Sequence, residues 1–281
     1  MDITPGLVLM LNALSAGVSG GTDSLLQTPE QYNKALYDAS ILIHNTAVKP
    51  ITAIVLAIIF MLMLASNSTR IEADRELGVR IISGTLLKVV LVFLVAQNAT
   101  IILNAIAAVS TIISKAANNL DVGTGASGQQ LLGETMKADI QSGGIWMQLG
   151  LFIVLLLPFL VSSLGTVVVI VLVFVRFLQM YLMSAFASLP IAFFGHEDTK
   201  QIGIGYLKRF AVAAFTGTVM LITVKFYQAL LGGWLGGHAG YKGDPWGFIL
   251  GNYGSFFIAP AVLVVLVIGA NGVAKAIVGE G

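Results

Sequence analysis

Apolar residues run along this chain in blocks too long for a soluble core, separated by short polar breaks. Residues 50–66 form the first clear block, uncharged and rich in Ile, Leu and Met. Residues 81–113 form a second. Roughly 20 such residues cross a bilayer as a helix, so the second block is long enough to project beyond it. Its later half carries Gln97, Asn98, Thr100 and Asn104. Polar groups at that depth call for a protein or water neighbour rather than lipid. No charge occurs from Ile140 to Val175, and apolar character resumes after Arg176 through Phe194. That stretch predicts two helices in 145–194, with Pro158 and Pro190 as kinks or breaks. Residues 210–231, with Lys225 inside, and 251–274, with Pro260 inside, complete the set. The fold class expected is all-α: a polytopic transmembrane protein of about five to six membrane helices.

The breaks define the organisation. Residues 1–47 form an N-terminal extracytoplasmic segment. Within it, Thr28-Pro29-Glu30-Gln31 reads as a capping box with proline at the first helical position. Tyr32, Ala35, Leu36, Ala39 and Ile43 follow at helical spacing, which predicts an amphipathic helix lying on the membrane or against a neighbour. Residues 48–113 form a first helical pair around loop 67–80. That loop holds Arg70, Arg75 and Arg80, so the positive-inside rule puts it in the cytoplasm. Its Thr69/Glu72 and Arg70/Asp74 spacings predict a short solvated helix. Residues 114–144 form a polar extracytoplasmic loop. Residues 145–281 hold the remaining membrane helices, with loops 195–209 and 232–250. The first of these loops is basic again through Lys200, Lys208 and Arg209. If both basic loops are cytoplasmic, an odd number of crossings separates 114–144 from 195–209. The rule then favours five crossings, an outside N-terminus and one element of 145–194 that does not cross. Two full crossings there, with 195–209 outside, is the other solution.

Composition sharpens the class. The chain has 281 residues, 57% of them hydrophobic and only 10% charged. A soluble domain carries about 25% charged residues. Net charge is +1, which argues against a broad nucleic-acid-binding face. Cysteine is absent, which excludes disulfides, thiolate chemistry and cysteine-held metals. The start lacks the positive charge of a secretory leader and reads as mature chain.

Candidate chemistry is sparse. Gly17-Val-Ser-Gly-Gly21 fits a nucleophile-elbow pattern, but that elbow needs a strand and sheet. Gly123-Thr-Gly-Ala-Ser-Gly128 lacks the Gly-Lys-Ser/Thr ending of a phosphate loop and reads as a turn. His44, His196 and His238 have no ligand spacing. No catalytic residue, metal or cofactor is expected. Lys88 and Lys225 stand near helix ends, where they can snorkel. Arg176 stands amid the longest apolar region, where an unpaired charge costs several kcal/mol. It reads as a lining or gating residue, or as an interface anchor at a helix junction. Ala53/Ala57, Ala213/Gly217 and Gly233/Gly237 are small-xxx-small pairs that let helices approach closely.

Residues 176–217 are the most specific part. Arg176 precedes an aromatic helix. Ala185, Ala187, Pro190 and Ala192 form a small-residue/proline segment, and Gly203, Tyr206, Leu207 and Lys208 follow it. This pattern resembles the TrbL-like polytopic subunit of type IV secretion systems, the conjugation machines of bacteria. Ser188, Gly205 and Thr216 depart from the residues common there. The resemblance implies a channel or scaffold component of the bacterial cytoplasmic (inner) membrane. Such a subunit helps pass a relaxase–single-stranded DNA complex or an effector protein. Expected partners are the other inner-membrane subunits and their ATPases, further copies of itself, the substrate in transit, and membrane lipid. Arg176, Pro190, Tyr206, Lys208 and Arg209 are the candidate translocation or coupling residues. A secondary transporter or other multi-pass channel would favour internal repeats and a midplane site, and no repeat is visible. A membrane enzyme finds no paired carboxylates or activated serine in its support.

Overall fold

The computed structural model of the chain describes residues 2–16, 22–68, 75–120, 131–234 and 241–280. Both glycine-rich motifs, 17–21 and 123–128, lie outside them, as does the Thr69/Glu72 box. Among the described residues every regular element is helical and no strand occurs. The helices are α1 (Thr4–Ala16), α2 (Thr22–Leu25), α3 (Pro29–Tyr32), α4 (Lys34–Ile43), a π-helix (His44–Val48) and α5 (Lys49–Ser66). Then come α6 (Arg75–Gln97), α7 (Ala99–Asn119), α8 (Leu132–Ser142), α9 (Gly144–Ala185) and α10 (Ser188–Ala192). A 3-10 turn (Phe193–Gly195) leads to α11 (Lys200–Trp234), α12 (Pro245–Gly251) and α13 (Tyr253–Val278). Six helices are long and apolar enough to cross a membrane: Lys34–Ser66, Gly78–Gln97, Ala99–Asn119, Gly144–Ala185, Lys200–Ala229 and Tyr253–Val278.

The capping box forms as read. Thr28 Oγ1 accepts from Gln31 N at 3.3 Å, and Gln31 Oε1 accepts from Thr28 N at 3.1 Å. Asn33 then caps α4 through Leu36 N at 3.0 Å. Beyond that the two faces of α4 differ in exposure. The apolar positions Ala35, Leu36, Ala39 and Ile43 face outward, while Ser40, His44, Val48 and Thr52 are buried. A helix in lipid keeps its apolar face outside and its small or polar face against protein. The wider π turn offsets the drift of an α-helix and holds this four-residue spacing on one face. So α4 continues through the π turn into α5 as one helical run, Lys34–Ser66.

Two further boundaries differ from expectation. The 81–113 block is interrupted for one residue, Asn98, whose Nδ2 donates to Leu94 O at 2.9 Å. The ladder nearly continues, with Asn98 N to Leu94 O at 3.3 Å. The 145–194 region holds one 42-residue helix rather than two. At 1.5 Å per residue it is about 63 Å long, against roughly 30 Å of hydrocarbon. Pro158 lies inside this unbroken helix, and the break falls at Phe186-Ala187. There Phe186 N and Ala187 N turn to Met183 O and Ser184 O at 3.1 and 3.4 Å. Pro190 sits in the first turn of α10, where a missing N–H leaves no bond unmade.

Two compact units share these helices. One comprises Met1–Leu26, Ile112–Val175 and Gly217–Val273. In it α1 packs on α8, where Asn12 Oδ1 accepts from Gly133 N at 2.8 Å, and Gln148 Oε1 on α9 accepts from Ile3 N at 3.2 Å. Tyr241 donates to Asp139, and burial together with that carboxylate raises its phenol pKa. Ser114 and Thr218 meet at 2.9 Å, and Lys225 Nζ donates to Asn118 O and, at 3.2 Å, to Leu120 O. These pairs make α7 and α11 parallel. A Cβ on Gly150 would lie 3.0 Å from Trp246, and one on Gly165 would lie 3.3 Å from Val264. Through these contacts α9 runs in the same sense as the chain from α12 into α13.

The other unit comprises Gln27–Thr111, Arg176–Thr216 and Ala274–Gly281. Here α9 and α11 are antiparallel, since Arg176 meets Ala213 and Met183 meets Tyr206. Thr52 and Ser188 hydroxyls bond at 2.8 Å, and Ile59 stands 2.9 Å from a Cβ on Gly195. The chain from 188 to 195 therefore runs in the sense of α5.

Candidate functional site

The second unit contains every residue singled out from 176 to 209. The lower end of α9, the break at 186–187, α10 and the start of α11 form a helical hairpin. Arg176 ties its two long arms. Its side chain is buried, at 5% exposure. Nε donates to Ala213 O at 2.9 Å and Nη2 to Ala214 O at 3.1 Å. Ser110 Oγ donates to the same Ala214 oxygen at 2.6 Å. The guanidinium carbon lies 4.7 Å from the Phe177 ring centroid, a cation–π distance. Phe177 stacks on Tyr32 at 4.0 Å, and Tyr181 donates from its hydroxyl to Pro29 O at 2.7 Å. The capped start of α3 is thereby pinned to α9.

Arg176 Nη1 has no hydrogen-bond partner, and no carboxylate pairs with this charge among the described residues. Carbonyl dipoles and an aromatic face do the work an anion would do elsewhere. That arrangement holds two helices in register and leaves one guanidinium nitrogen without a hydrogen bond.

At the tip, Ala185, Ala187 and Ala192 are buried, which explains the small residues there. Gly203 is held by a close approach: a Cβ on it would lie 2.8 Å from Pro190 O and 2.8 Å from the Phe194 ring. Tyr206 donates its hydroxyl to Met183 O across the hairpin. Leu207 is half-buried. Lys208 and Arg209 turn away from this tie, toward the chain's end. Lys208 Nζ donates to Gly279 O at 2.8 Å, and Arg209 Nε lies 3.3 Å from Glu280 Oε1. The hairpin thus unites Pro190 with Gly203 and Tyr206 with the end of α9, whereas Arg176 and the Lys208-Arg209 pair have separate partners.

Three features were not read from the sequence. Glu197 bridges Lys88, at 3.3 Å, and Lys200. Lys200, and then Lys88, hold its carboxyl below the usual carboxylate range. The Thr52–Ser188 bond joins α5 to α10 in a buried setting. His44 is fully buried in the π turn with neither ring nitrogen hydrogen-bonded. Thr52 and Ser188 are each a polar residue in an apolar stretch. That was a signal of a protein-facing side, but it did not name the partner. No group of three or more His, Cys, Asp or Glu able to hold a metal occurs among the described residues.

Arg176, Ala185 and Ala187, the break in the hairpin and helices α2 to α9 fall within a family match. The model of the TrbL/VirB6 plasmid conjugal transfer like protein family matches residues 14–188. The match stops short of Pro190, Ala192, Gly203, Tyr206, Leu207, Lys208 and Arg209. No curated protein and no solved structure matches the chain. With more than half of its length covered, this multi-helix chain, whose six membrane-capable helices carry no strand or metal cluster among the described residues, belongs to the TrbL/VirB6 family of plasmid conjugal transfer proteins.

Proposed function

We propose that this chain is a channel or scaffold subunit of a type IV secretion system in the bacterial cytoplasmic membrane. It helps pass a relaxase–single-stranded DNA complex or an effector protein. It works without chemistry of its own, and separate ATPase subunits supply the energy. Its partners are those ATPases and the other inner-membrane subunits. The observation that carries this reading is the family match over residues 14–188.

We read the chain as five crossings, in which residues 81–119 make one, interrupted at Asn98, and α9 makes one alone. α1, α8 and Tyr241 join one another in one unit, while Lys88, Glu197, Lys200, Lys208 and Glu280 join in the other. By the positive-inside rule the second set is cytoplasmic and the N-terminus lies outside.

In this reading the 176–210 hairpin couples the membrane path to cytoplasmic subunits, with Lys208 and Arg209 offering charge to an acidic partner surface. Arg176→Leu tests it. Replacing a buried charge by an apolar group of similar bulk is often neutral or stabilising, so the chain should insert and accumulate normally. Transfer of DNA or protein should nonetheless be abolished. Normal transfer by this variant would reduce Arg176 to an interface anchor and end the coupling idea.

A further inference from the structure

A shallow groove runs between α5 and α6. Ala53, Ala57 and Phe60 line it from one side, and Leu86, Val90 and Phe93 from the other. Its volume is about 250 Å³, and the residues around it are entirely apolar. The floor is low because two alanines stand one turn apart on α5. Phe60 raises the wall one turn further on. From Ala53 to Phe60 the groove is therefore only about 10 Å long at the rise of an α-helix.

That shape decides the occupant. A docked helix is roughly 10 Å across and needs a seam of small residues over several turns. Here the small positions end at Ala57. A single acyl chain needs no more than a narrow apolar trough. The neighbouring faces carry lipid-type surface: Ile54, Ile58 and Leu87 are each more than half exposed.

A cation stands at one end of the groove. Lys49 begins α5 and precedes Ala53 by four residues, so it shares the face that Ala53 and Ala57 present. It stands about one turn, or 5.4 Å, beyond the groove. No ion pair or hydrogen bond engages its ammonium among the described residues. The chain changes there from polar His44-Asn45-Thr46 to the uncharged run 50–66. Lys49 thus stands at the polar edge of that uncharged run, the kind of position from which a lysine reaches a lipid phosphate.

We infer that this groove binds one anionic phospholipid, with an acyl chain along Ala53, Ala57 and Phe60 and the phosphate at Lys49. The site depends on the membrane setting alone and not on the substrate that the system moves. It also gives Ala53 and Ala57 a use other than helix packing.

The test uses the full chain in nanodiscs containing a photoactivatable phosphatidylglycerol with a diazirine in its acyl chain. Peptide mapping should find label concentrated at 53–60 and 86–93. Ala57→Trp fills the trough and should remove that label, while Leu164→Trp, at an exposed position on α9, should not. Lys49→Gln should reduce labelling about fivefold, the scale of one lysine at an anionic surface. It reads the headgroup contact even if Ala57→Trp fails to fold. The matching phosphatidylcholine probe should label the wild-type chain no better than phosphatidylglycerol labels Lys49→Gln. Label spread evenly over all exposed helices would overturn the inference, as would equal labelling by the two probes. A disulfide-linked dimer formed through Ile54→Cys in membranes would overturn it too, by putting a second copy in the groove. The cysteine-free chain makes that readout unambiguous.

Discussion

Single residues in this chain act chiefly by what they leave out. Gly203 is the clearest case, because Pro190 O and the Phe194 ring occupy the place of a Cβ. One of those neighbours is backbone and cannot swing aside. Gly203→Ala should therefore lower stability by about 1–3 kcal/mol, as overpacking does. Gly205, two residues along the same helix, meets nothing within 4 Å. Gly205→Ala should be neutral or stabilise by up to about 1 kcal/mol through helix propensity. Thermal unfolding of both variants in one detergent checks the pair, and equal melting temperatures would refute the packing account. The sequence pattern singled out Gly203 as a position but held no hint of its reason, since the contact comes from a residue on another helix. Arg176 was legible as a costly charge from its apolar surroundings. That its acceptors are the carbonyls of Ala213 and Ala214 was not, because every residue offers a carbonyl and sequence cannot rank them.

Helices here meet through sparse polar contacts in otherwise apolar seams. Thr52 to Ser188 is a good example, fully buried and 2.8 Å long. In lipid such a bond contributes less than intuition expects, about 0.6 kcal/mol on average and up to about 1.7. A double-mutant cycle of Thr52→Val and Ser188→Ala, read by unfolding in mixed micelles, should give a coupling energy in that range. A coupling of zero would mean that the two hydroxyls satisfy themselves elsewhere, as Thr52 already does through Val48 O at 2.9 Å. Element boundaries were where sequence reading went astray. Pro158 looked like a helix breaker, yet α9 runs through it, because inside a membrane neighbouring groups can satisfy what proline frees. Asn98, one of several polar residues in a long block, is where the ladder actually lapses, and its own side chain takes the Leu94 carbonyl. The apolar stripe on α4 was real, but it faces outward. Periodicity marks a face, and the solvent decides which way that face points.

For the whole molecule the sharpest test is topology. Single cysteines at Ser68 and Ser127 in this cysteine-free chain can be probed on intact cells with an impermeant thiol reagent. Ser127→Cys should label at once, and Ser68→Cys only after the membrane is opened. The reverse pattern would invert the orientation, and labelling of both on intact cells would break the crossing between them. What the sequence determined by itself was the class: long uncharged blocks can only be helices in lipid, because an unpaired peptide group there costs several kcal/mol. It also determined the polar breaks and the likeness to conjugal transfer proteins, which rest on local composition and on a motif. Only the tertiary structure decided how those blocks divide into helices. A 42-residue helix and two shorter ones of the same composition have nearly the same hydropathy, so the difference resides in contacts such as Arg176 to Ala213 and Ser114 to Thr218. Those contacts join residues far apart in the chain, and their geometry comes from packing, not from any local run of residues.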